Sequence, residues 1–173
     1  ISAASAEAAP AIAQAIAAGS AIIDRGPLGL DAAAPFHSVL VAQHEYQLDS
    51  SLSDTHGGPP LVGNGTATST GYLFTAGQGP SLSGAVDPET YEIHMEFKID
   101  SNAGFKKLVD FKNLQINDGV YSYNGTLYFF HDGGTFASGS GVPISANTLH
   151  QLTIRRDGKS KLFEVLVDGV SQF

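Results

Sequence analysis

Hydrophobic and polar residues alternate along much of the chain beyond residue 36. The clearest run covers residues 91–99, where five apolar side chains alternate with four polar ones. A period of two puts successive side chains on opposite faces of an extended strand, so this run predicts a strand with one apolar and one polar face. Further apolar segments predict strands at residues 39–48, 71–74, 107–111, 120–123, 126–130, 150–155 and 161–167.

Turn signals separate these segments at short intervals. Six pairs of Asn or Asp followed by Gly occur, at Asn64-Gly65, Asp118-Gly119, Asn124-Gly125, Asp132-Gly133, Asp157-Gly158 and Asp168-Gly169. Asn and Asp tolerate positive φ and Gly adopts it freely, which suits the turns that join antiparallel strands in hairpins. Many short strands with regular turn signals predict an all-β, antiparallel sandwich or barrel.

The first 36 residues differ in composition from the rest. They contain fourteen alanines, whereas the remaining 137 residues contain seven. Pro10 suits the first position of a helix and Gly19 suits its C-terminal cap, so a short helix is predicted from about Pro10 to Ala18. A helix this short does not fold alone, and we expect it to pack on the sandwich or on another chain. The predicted organisation is an Ala-rich helix and linker over residues 1–36 and one β-domain over residues 37–173.

A family resemblance is carried by five short runs: YQLD from residue 46, KLVDFKN from 107, DGVY from 118, YNGTLYF from 123 and VLVDG from 165. They resemble the laminin-G-like domains of the concanavalin A-like lectin and glucanase superfamily, over about residues 40 to 170. The resemblance implies a jelly-roll β-sandwich of the kind found in secreted proteins. It also implies a recognition role, although fold resemblance alone supports architecture better than function.

The chain departs from the family after its last hairpin signal. Laminin-G-like domains continue past this hairpin with at least one more strand, whereas four residues follow Gly169 here. Two expectations stay open: the sequence is a fragment, or the sandwich lacks its last strand. An open sheet edge is usually covered in natural proteins, so the second expectation includes a partner that donates a strand.

Composition narrows the function classes. The chain is 42% hydrophobic and 15% charged, with a net charge of -8, and nine basic residues do not provide the cationic surface that nucleic acid requires. Without cysteine, disulfides and thiolate chemistry are absent. The uncharged run at residues 8–23 is too short and too weakly apolar to predict a transmembrane helix. We expect a secreted protein, extracellular, at the cell surface or periplasmic, whose leader has been removed.

One strand carries a pattern related to catalysis. Retaining glucanases of the superfamily have Glu-x-Asp-x-Glu on a strand, and here Glu92 and Glu96 flank His94. Alternation on a solvated outer face accounts for all three residues without catalysis. Two of the three motif carboxylates are present and tryptophan is absent, so we expect no enzyme activity.

Calcium is the expected cofactor, because the resemblance implies a calcium ion at a loop rim. The candidate ligands are Asp49, Asp54 and Asp132, with Asp110 and Asp118 as further aspartates. Calcium takes six to eight oxygen ligands, and no EF-hand spacing is present. Each aspartate is also explained as a turn former.

Two functional hypotheses follow. The first is a secreted, non-catalytic, lectin-like recognition module that binds a glycan or protein ligand through its rim loops. The second is a structural subunit of a larger surface or membrane-associated assembly, docked by its N-terminal segment and an open sheet edge to an oligomeric partner. Deleting residues 1–36 separates them, because the first hypothesis predicts intact ligand binding and the second predicts loss of assembly.

Overall fold

A computed structural model describes residues 13–15, 20–24, 44–84 and 86–173. These residues form antiparallel sheets and contain no helix, which confirms the predicted all-β class. Their strands are β1 (Ala13–Ala15), β2 (Ser20–Asp24), β3 (His44–Tyr46), β4 (Thr66–Thr68), β5 (Gly71–Phe74), β6 (Thr90–Ile99), β7 (Phe105–Asp110), β8 (Gly119–Tyr123), β9 (Thr126–His131), β10 (Gly134–Ser138), β11 (His150–Asp157), β12 (Leu162–Val167) and β13 (Val170–Ser171).

The larger sheet is built around β6, the longest strand. Strand β11 pairs with one edge of β6 along eight residue pairs, and β12 and β13 continue the sheet on that side. The other edge of β6 is shared by two short strands, since β2 pairs with it at Ile93 and β1 pairs with it at Ile99. Strands β5 and β4 follow β1, and β3 pairs with β2.

The smaller sheet is a meander in the order β10-β9-β8-β7. The β8–β9 hairpin turns at Asn124-Gly125 and the β9–β10 hairpin turns at Asp132-Gly133. All four of these residues have positive φ, between 48° and 84°, as the two-residue turn of an antiparallel hairpin requires. The Asp168-Gly169 pair joins β12 to β13 in the same way, so three of the six turn predictions are confirmed.

The other three Asx-Gly pairs do not form two-residue hairpins. Gly119 is the first residue of β8, and a Cβ there would lie 2.1 Å from the carbonyl oxygen of Val109 on the neighbouring strand. Asp157-Gly158 begins a longer turn that ends at Lys161, and Asn64-Gly65 precedes β4. These glycines are therefore explained by close backbone approach or by longer turns, which the dipeptide pattern does not distinguish.

Apolar residues of both sheets meet in one core. Strand β6 contributes the inward side of its alternation, including Phe97 and Ile99, and β11 contributes Ile154. The smaller sheet adds Val120 and Leu127, which are 0% and 1% exposed. Burial of alternate residues from two facing sheets is the packing expected of a β-sandwich. The jelly-roll connectivity stays a prediction.

A second, smaller core lies around β3 and β5. Its buried members are Tyr46, Leu48 and Tyr72, and partly buried apolar residues from β4, β5 and the neighbouring loops pack against them. The Tyr46 hydroxyl donates to the carbonyl oxygen of Pro59, and the Tyr72 hydroxyl accepts from the backbone N–H of Gly65. These bonds satisfy the polar end of each buried ring and tie the loops at residues 47–65 to the sheet.

The helix predicted at Pro10 to Ala18 is not confirmed. Three of its residues, Ala13–Ala15, form β1 and pair with both β5 and β6, and the others lie outside the described residues. The helical preference of alanine is worth less than about 1 kcal/mol per residue, so pairing with two neighbouring strands overrides it. The boundary at residue 36 stays a prediction, although β1 and β2 place parts of the first 36 residues in the sheet.

Across the described ranges, the structure contains no helix that is long and apolar enough to cross a membrane.

Candidate functional site

The candidate site lies at one end of the smaller sheet, where β8 begins and the β9–β10 hairpin turns. Gly119 pairs with Phe130, so the antiparallel register brings Asp118, just before β8, opposite His131 at the end of β9. Asp132 is the next residue and the first of the two-residue turn. The backbone N–H of Gly133 donates to the carbonyl oxygen of Asn117 at 2.8 Å and holds the turn against the loop before β8.

The three side chains converge. His131 Nδ1 lies 3.0 Å from Asp118 Oδ2, and His131 Nε2 lies 3.4 Å from Asp132 Oδ2. One ligand atom from each residue lies within 4.8 Å of the others. Asp118 is buried, whereas the side chains of His131 and Asp132 are 57% and 69% exposed. The cluster thus has a fixed carboxylate at its base and two ligands open to solvent.

The contacts of the imidazole define what the cluster offers. His131 bonds to Asp118 through Nδ1, and its Nε2 faces the carboxylate of Asp132. A divalent cation would be held by a neutral imidazole and two ionised carboxylates, because metal ligation requires these forms. The geometry therefore allows a metal site of two carboxylates and one imidazole, and it does not by itself identify the metal.

The sequence placed its three metal ligands at Asp49, Asp54 and Asp132, and the structure does not bring these three together. Asp132 lies in the cluster with Asp118, a further aspartate of the sequence prediction. Among the described residues, neither Asp49 nor Asp54 belongs to a group of three convergent metal-ligating side chains. Asp49 is exposed and accepts a hydrogen bond from the hydroxyl of Ser50.

Asp54 is buried, and its carboxylate is already satisfied by the protein. It accepts hydrogen bonds from the backbone N–H groups of Glu45, His56 and Gly58 and lies 2.5 Å from His44 Nδ1. Burial raises the pKa of Asp54, but the bonds from Glu45, His44 and His56 outweigh burial and lower it to about 2. These contacts hold the loop at residues 47–58 against β3 and suit a structural carboxylate.

Asp110 is also satisfied within the protein. It accepts from Lys107 Nζ at 2.6 Å and from the backbone N–H groups of Lys112 and Leu114 at 2.9 and 2.8 Å. Burial raises the pKa of Asp110, and these hydrogen bonds lower it by more, so that the net shift is downward. Asp110 therefore shapes the loop after β7 and anchors Lys107.

The Glu92, His94 and Glu96 pattern lies on the face of β6 opposite the core, as the alternation predicts. Glu92 is nevertheless only 3% exposed, so the face is not simply solvated. Its Oε1 lies 2.6 Å from His94 Nε2, and its Oε2 lies 3.2 Å from Arg155 Nε in an ion pair that lacks good hydrogen-bond alignment. Arg155 also reaches Glu164 on β12. The cross-strand register of β6, β11 and β12 builds this network, which single-strand spacing does not reveal.

The structure pairs four histidines with acidic residues. These pairs are His44 with Asp54, His94 with Glu92, His131 with Asp118 and His150 with Asp168, at 2.5 to 3.0 Å. Three of the four acids are ten to eighteen positions away in the chain. Strand register and loop path bring such residues together, so histidine spacing could not have found them.

A group of aromatic rings covers the outer face of the smaller sheet. Tyr121 and Tyr123 alternate with Val120, and Tyr128 and Phe130 alternate with Leu127. Val120 and Leu127 belong to the core, so the four rings lie on the opposite face. Phe105 on β7 joins them, and we call these five residues the aromatic face. The sequence signal for this face is the period-two alternation of aromatic residues in two neighbouring predicted strands.

The rings of the aromatic face contact one another. Phe105 stacks on Tyr123 with ring centroids 4.3 Å apart, and Phe130 meets Tyr121 edge-on at 4.9 Å. Phe130 also lies 6.0 Å from Phe105, and Tyr128 lies 6.4 Å from Tyr123. These separations are typical of favourable aromatic pairs.

Comparisons of the chain with models of protein families, with curated proteins and with solved structures found no match.

Proposed function

We propose that this protein is a secreted, non-catalytic recognition module that binds a glycan or protein ligand through the rim of its smaller sheet. The observation that carries the proposal is the convergence of Asp118, His131 and Asp132 at that rim. A buried carboxylate beside two exposed ligands leaves coordination positions for water or for a ligand oxygen. Binding loops carried by a rigid β scaffold are a common basis of recognition.

The rim is proposed to hold a divalent cation. Calcium is the cation that the family resemblance implies, and the two carboxylates suit it. The imidazole of His131 favours a first-row ion such as Zn²⁺ instead, because calcium prefers oxygen ligands throughout. We therefore propose a cation of the zinc type at this site and treat calcium as the competing ion.

Metal titration tests the site directly. Protein treated with EDTA is titrated with Zn²⁺ and separately with Ca²⁺ by calorimetry. We expect Zn²⁺ to bind with one site per chain and His131→Gln to weaken it at least about tenfold, since changing even an outer-shell partner of a metal ligand costs about tenfold or more. Tighter binding of Ca²⁺ that survives His131→Gln would identify calcium, and flat traces for both ions would remove the metal site.

His56→Gln is the matched control. His56 is also an exposed histidine near two carboxylates, with Nδ1 at 3.8 Å from Asp54 and 4.0 Å from Glu45. It belongs to no convergent group of three ligands within the described residues. We expect Zn²⁺ binding to be unchanged in this variant, so equal loss in both variants would indicate nonspecific binding to surface histidines.

Recognition itself is tested on a glycan microarray and on immobilised extracellular matrix proteins. We expect binding that EDTA and Asp132→Asn both reduce, with circular dichroism unchanged. Incubation with the bound glycan should release no reducing sugar. Release of reducing ends would contradict the non-catalytic role and would make Glu92 and Glu96 the candidate catalytic residues.

The second candidate is a structural subunit of a larger surface or membrane-associated assembly. The supporting observation is the outer edge of β12, where β13 pairs with Leu166 and Val167 and the backbone of Gln172 and Phe173 bonds to Val165. Among the described residues, no strand pairs with the Leu162 end of that edge, and such an edge can accept a strand from a partner. We rank it second because β1 and β2, which were expected to dock on a partner, pair inside the large sheet.

A further inference from the structure

We propose that the aromatic face of the smaller sheet is a binding surface for an uncharged glycan, on which pyranose rings stack against Phe105 and Tyr123. The inference goes beyond the proposed recognition function. It assigns a glycan contact on the sheet face, separate from the site proposed at the loop rim.

The two outermost rings are open to solvent. Phe105 is 55% exposed and Tyr123 is 38% exposed, although both belong to strands whose opposite face is in the core. Tyr128 and Phe130 are partly buried beside them, and Tyr121 is 6% exposed. The exposed pair therefore rests on a layer of other rings rather than projecting alone from a loop.

The supporting layer fixes the geometry of the exposed pair. Phe130 contacts Phe105 at 6.0 Å, and the Tyr121 hydroxyl donates to Asn117 Oδ1 at 3.2 Å. Lys107 Nζ lies 5.1 Å from the centre of the Tyr121 ring and covers it. Rings held by packing on strands lose little conformational entropy when a ligand binds, which favours preorganised recognition.

Charge indicates an uncharged ligand. The cation at this face, Lys107, is paired with Asp110 at 2.6 Å. Burial lowers the pKa of Lys107, but the hydrogen bonds with Asp110 and Tyr121 raise it by more, so the ammonium stays charged and neutralised within the protein. With a net charge of -8, the chain also repels polyanions. The charges at this surface therefore add no binding affinity for an acidic glycan or for nucleic acid.

The exposed apolar area of this pair of rings is small beside the area of a protein–protein interface. A ring of this size carries roughly 200 Å², so the exposed fractions of Phe105 and Tyr123 present on the order of 200 Å². A stable protein–protein interface needs roughly 800 Å² from each partner. The surface therefore suits a ligand of a few rings.

A pyranose matches this surface chemically. One face of the sugar ring presents C–H groups, which fit the π-face of Phe105, while its rim carries hydroxyl groups. Tyr123 and Tyr128 bring phenol hydroxyls to the same face and can both donate and accept hydrogen bonds. An apolar ring with a polar edge on the protein thus meets an apolar face with a polar edge on the ligand.

The test uses a microarray of neutral and acidic glycans, followed by calorimetry with cellohexaose, laminarihexaose and mannohexaose. We expect the wild-type chain to bind neutral glycans. The Phe105→Ala/Tyr123→Ala double variant should bind at least about tenfold more weakly, a loss of about 1.4 kcal/mol, because both stacking rings are removed. Tyr123→Phe keeps the ring and should retain most of the affinity.

Leu149→Ala is the matched control, since Leu149 is a large apolar residue that is 44% exposed in the loop before β11. We expect it to leave glycan binding unchanged. Melting temperatures of all variants close to that of the wild type would show that the fold is retained.

Several results would overturn the inference. They are no neutral glycan binding by the wild type, binding to acidic glycans alone, or equal binding by the double variant. Binding of decaproline that the double variant loses, without sugar binding, would make the face a peptide site. Glycan binding that survives the double variant but is lost in Asp132→Asn would leave the proposed rim function standing and place the ligand there.

Discussion

Asp54 and Asp118 show how two buried aspartates paired with histidine differ in their surroundings. Asp54 is 8% exposed and Asp118 is 4% exposed, so burial does not separate them. The backbone donates three hydrogen bonds to Asp54 in addition to its contact with His44. Among the described residues, the hydrogen-bond partner of the Asp118 carboxylate is His131, and the exposed Asp132 lies 3.4 Å from the other nitrogen of that ring.

The difference indicates separate roles. A carboxylate surrounded by fixed backbone donors stabilises the loop that supplies them and has little capacity left for a cation. A buried carboxylate that faces two exposed ligands keeps the capacity to hold a metal ion together with them. Four predictions test this comparison, from the largest expected effect to the smallest.

Replacing Asp54 by Ala should give the largest loss of stability. The change leaves three backbone N–H groups without their acceptor and should lower the free energy of unfolding by about 3 kcal/mol. Urea denaturation measures this. Asp118→Asn should lower the free energy of unfolding by clearly less. Equal losses of stability in the two variants would contradict the different roles of Asp54 and Asp118.

Zinc should stabilise the chain through the Asp118 site and not through Asp54. At a free concentration of about a hundred times its Kd, a ligand specific to the folded state adds about 2.7 kcal/mol. Thermal melts with and without Zn²⁺ measure the increase in Tm. It should vanish in His131→Gln and persist in His44→Gln; persistence in His131→Gln would place the ion elsewhere.

Acid should remove the contribution of Asp54. The pKa of this carboxyl is lowered from 3.8 to about 2 on folding, so its stabilisation is complete only above about pH 5 and is lost as the pH falls toward 2. The difference corresponds to about 2 kcal/mol. Urea denaturation between pH 5 and 2 should show a shallower loss in Asp54→Asn than in the wild type, and identical slopes would contradict the assignment.

Asp49 should have the smallest effect. It is exposed and its side-chain contact is with the neighbouring Ser50. Asp49→Ala should change the free energy of unfolding by less than about 0.5 kcal/mol and should not alter metal binding. A tenfold loss of calcium affinity in this variant would restore Asp49 as a metal ligand.

The strands were largely predictable because their signal is local. Alternation at residues 91–99 and the turns at Asn124-Gly125, Asp132-Gly133 and Asp168-Gly169 match the observed β6 and hairpins. Short strands such as β4 and β10 were missed, because their few residues carry no distinct period. The helical expectation failed at Ala13–Ala15, where strand pairing outweighs a weak local preference.

The candidate site was only partly predictable. Asp132 and Asp118 were named as candidate aspartates, but the sequence could not separate them from Asp49 and Asp54, since all four are plausible turn formers. The role of each carboxylate depends on its partners, namely the backbone N–H groups and the histidine that contact it. That information comes from strand register and loop path, which spacing in one chain does not specify.

The sequence alone determined the all-β class, the inward side of the main strands and three of the hairpin turns, because period-two patterning and Asx-Gly geometry act over a few residues. Tertiary structure decided which acid meets each histidine, and it assembled five separated aromatic residues into one face. These contacts join positions from neighbouring strands. They depend on the register between strands, and that register is settled by the packing of the whole sandwich.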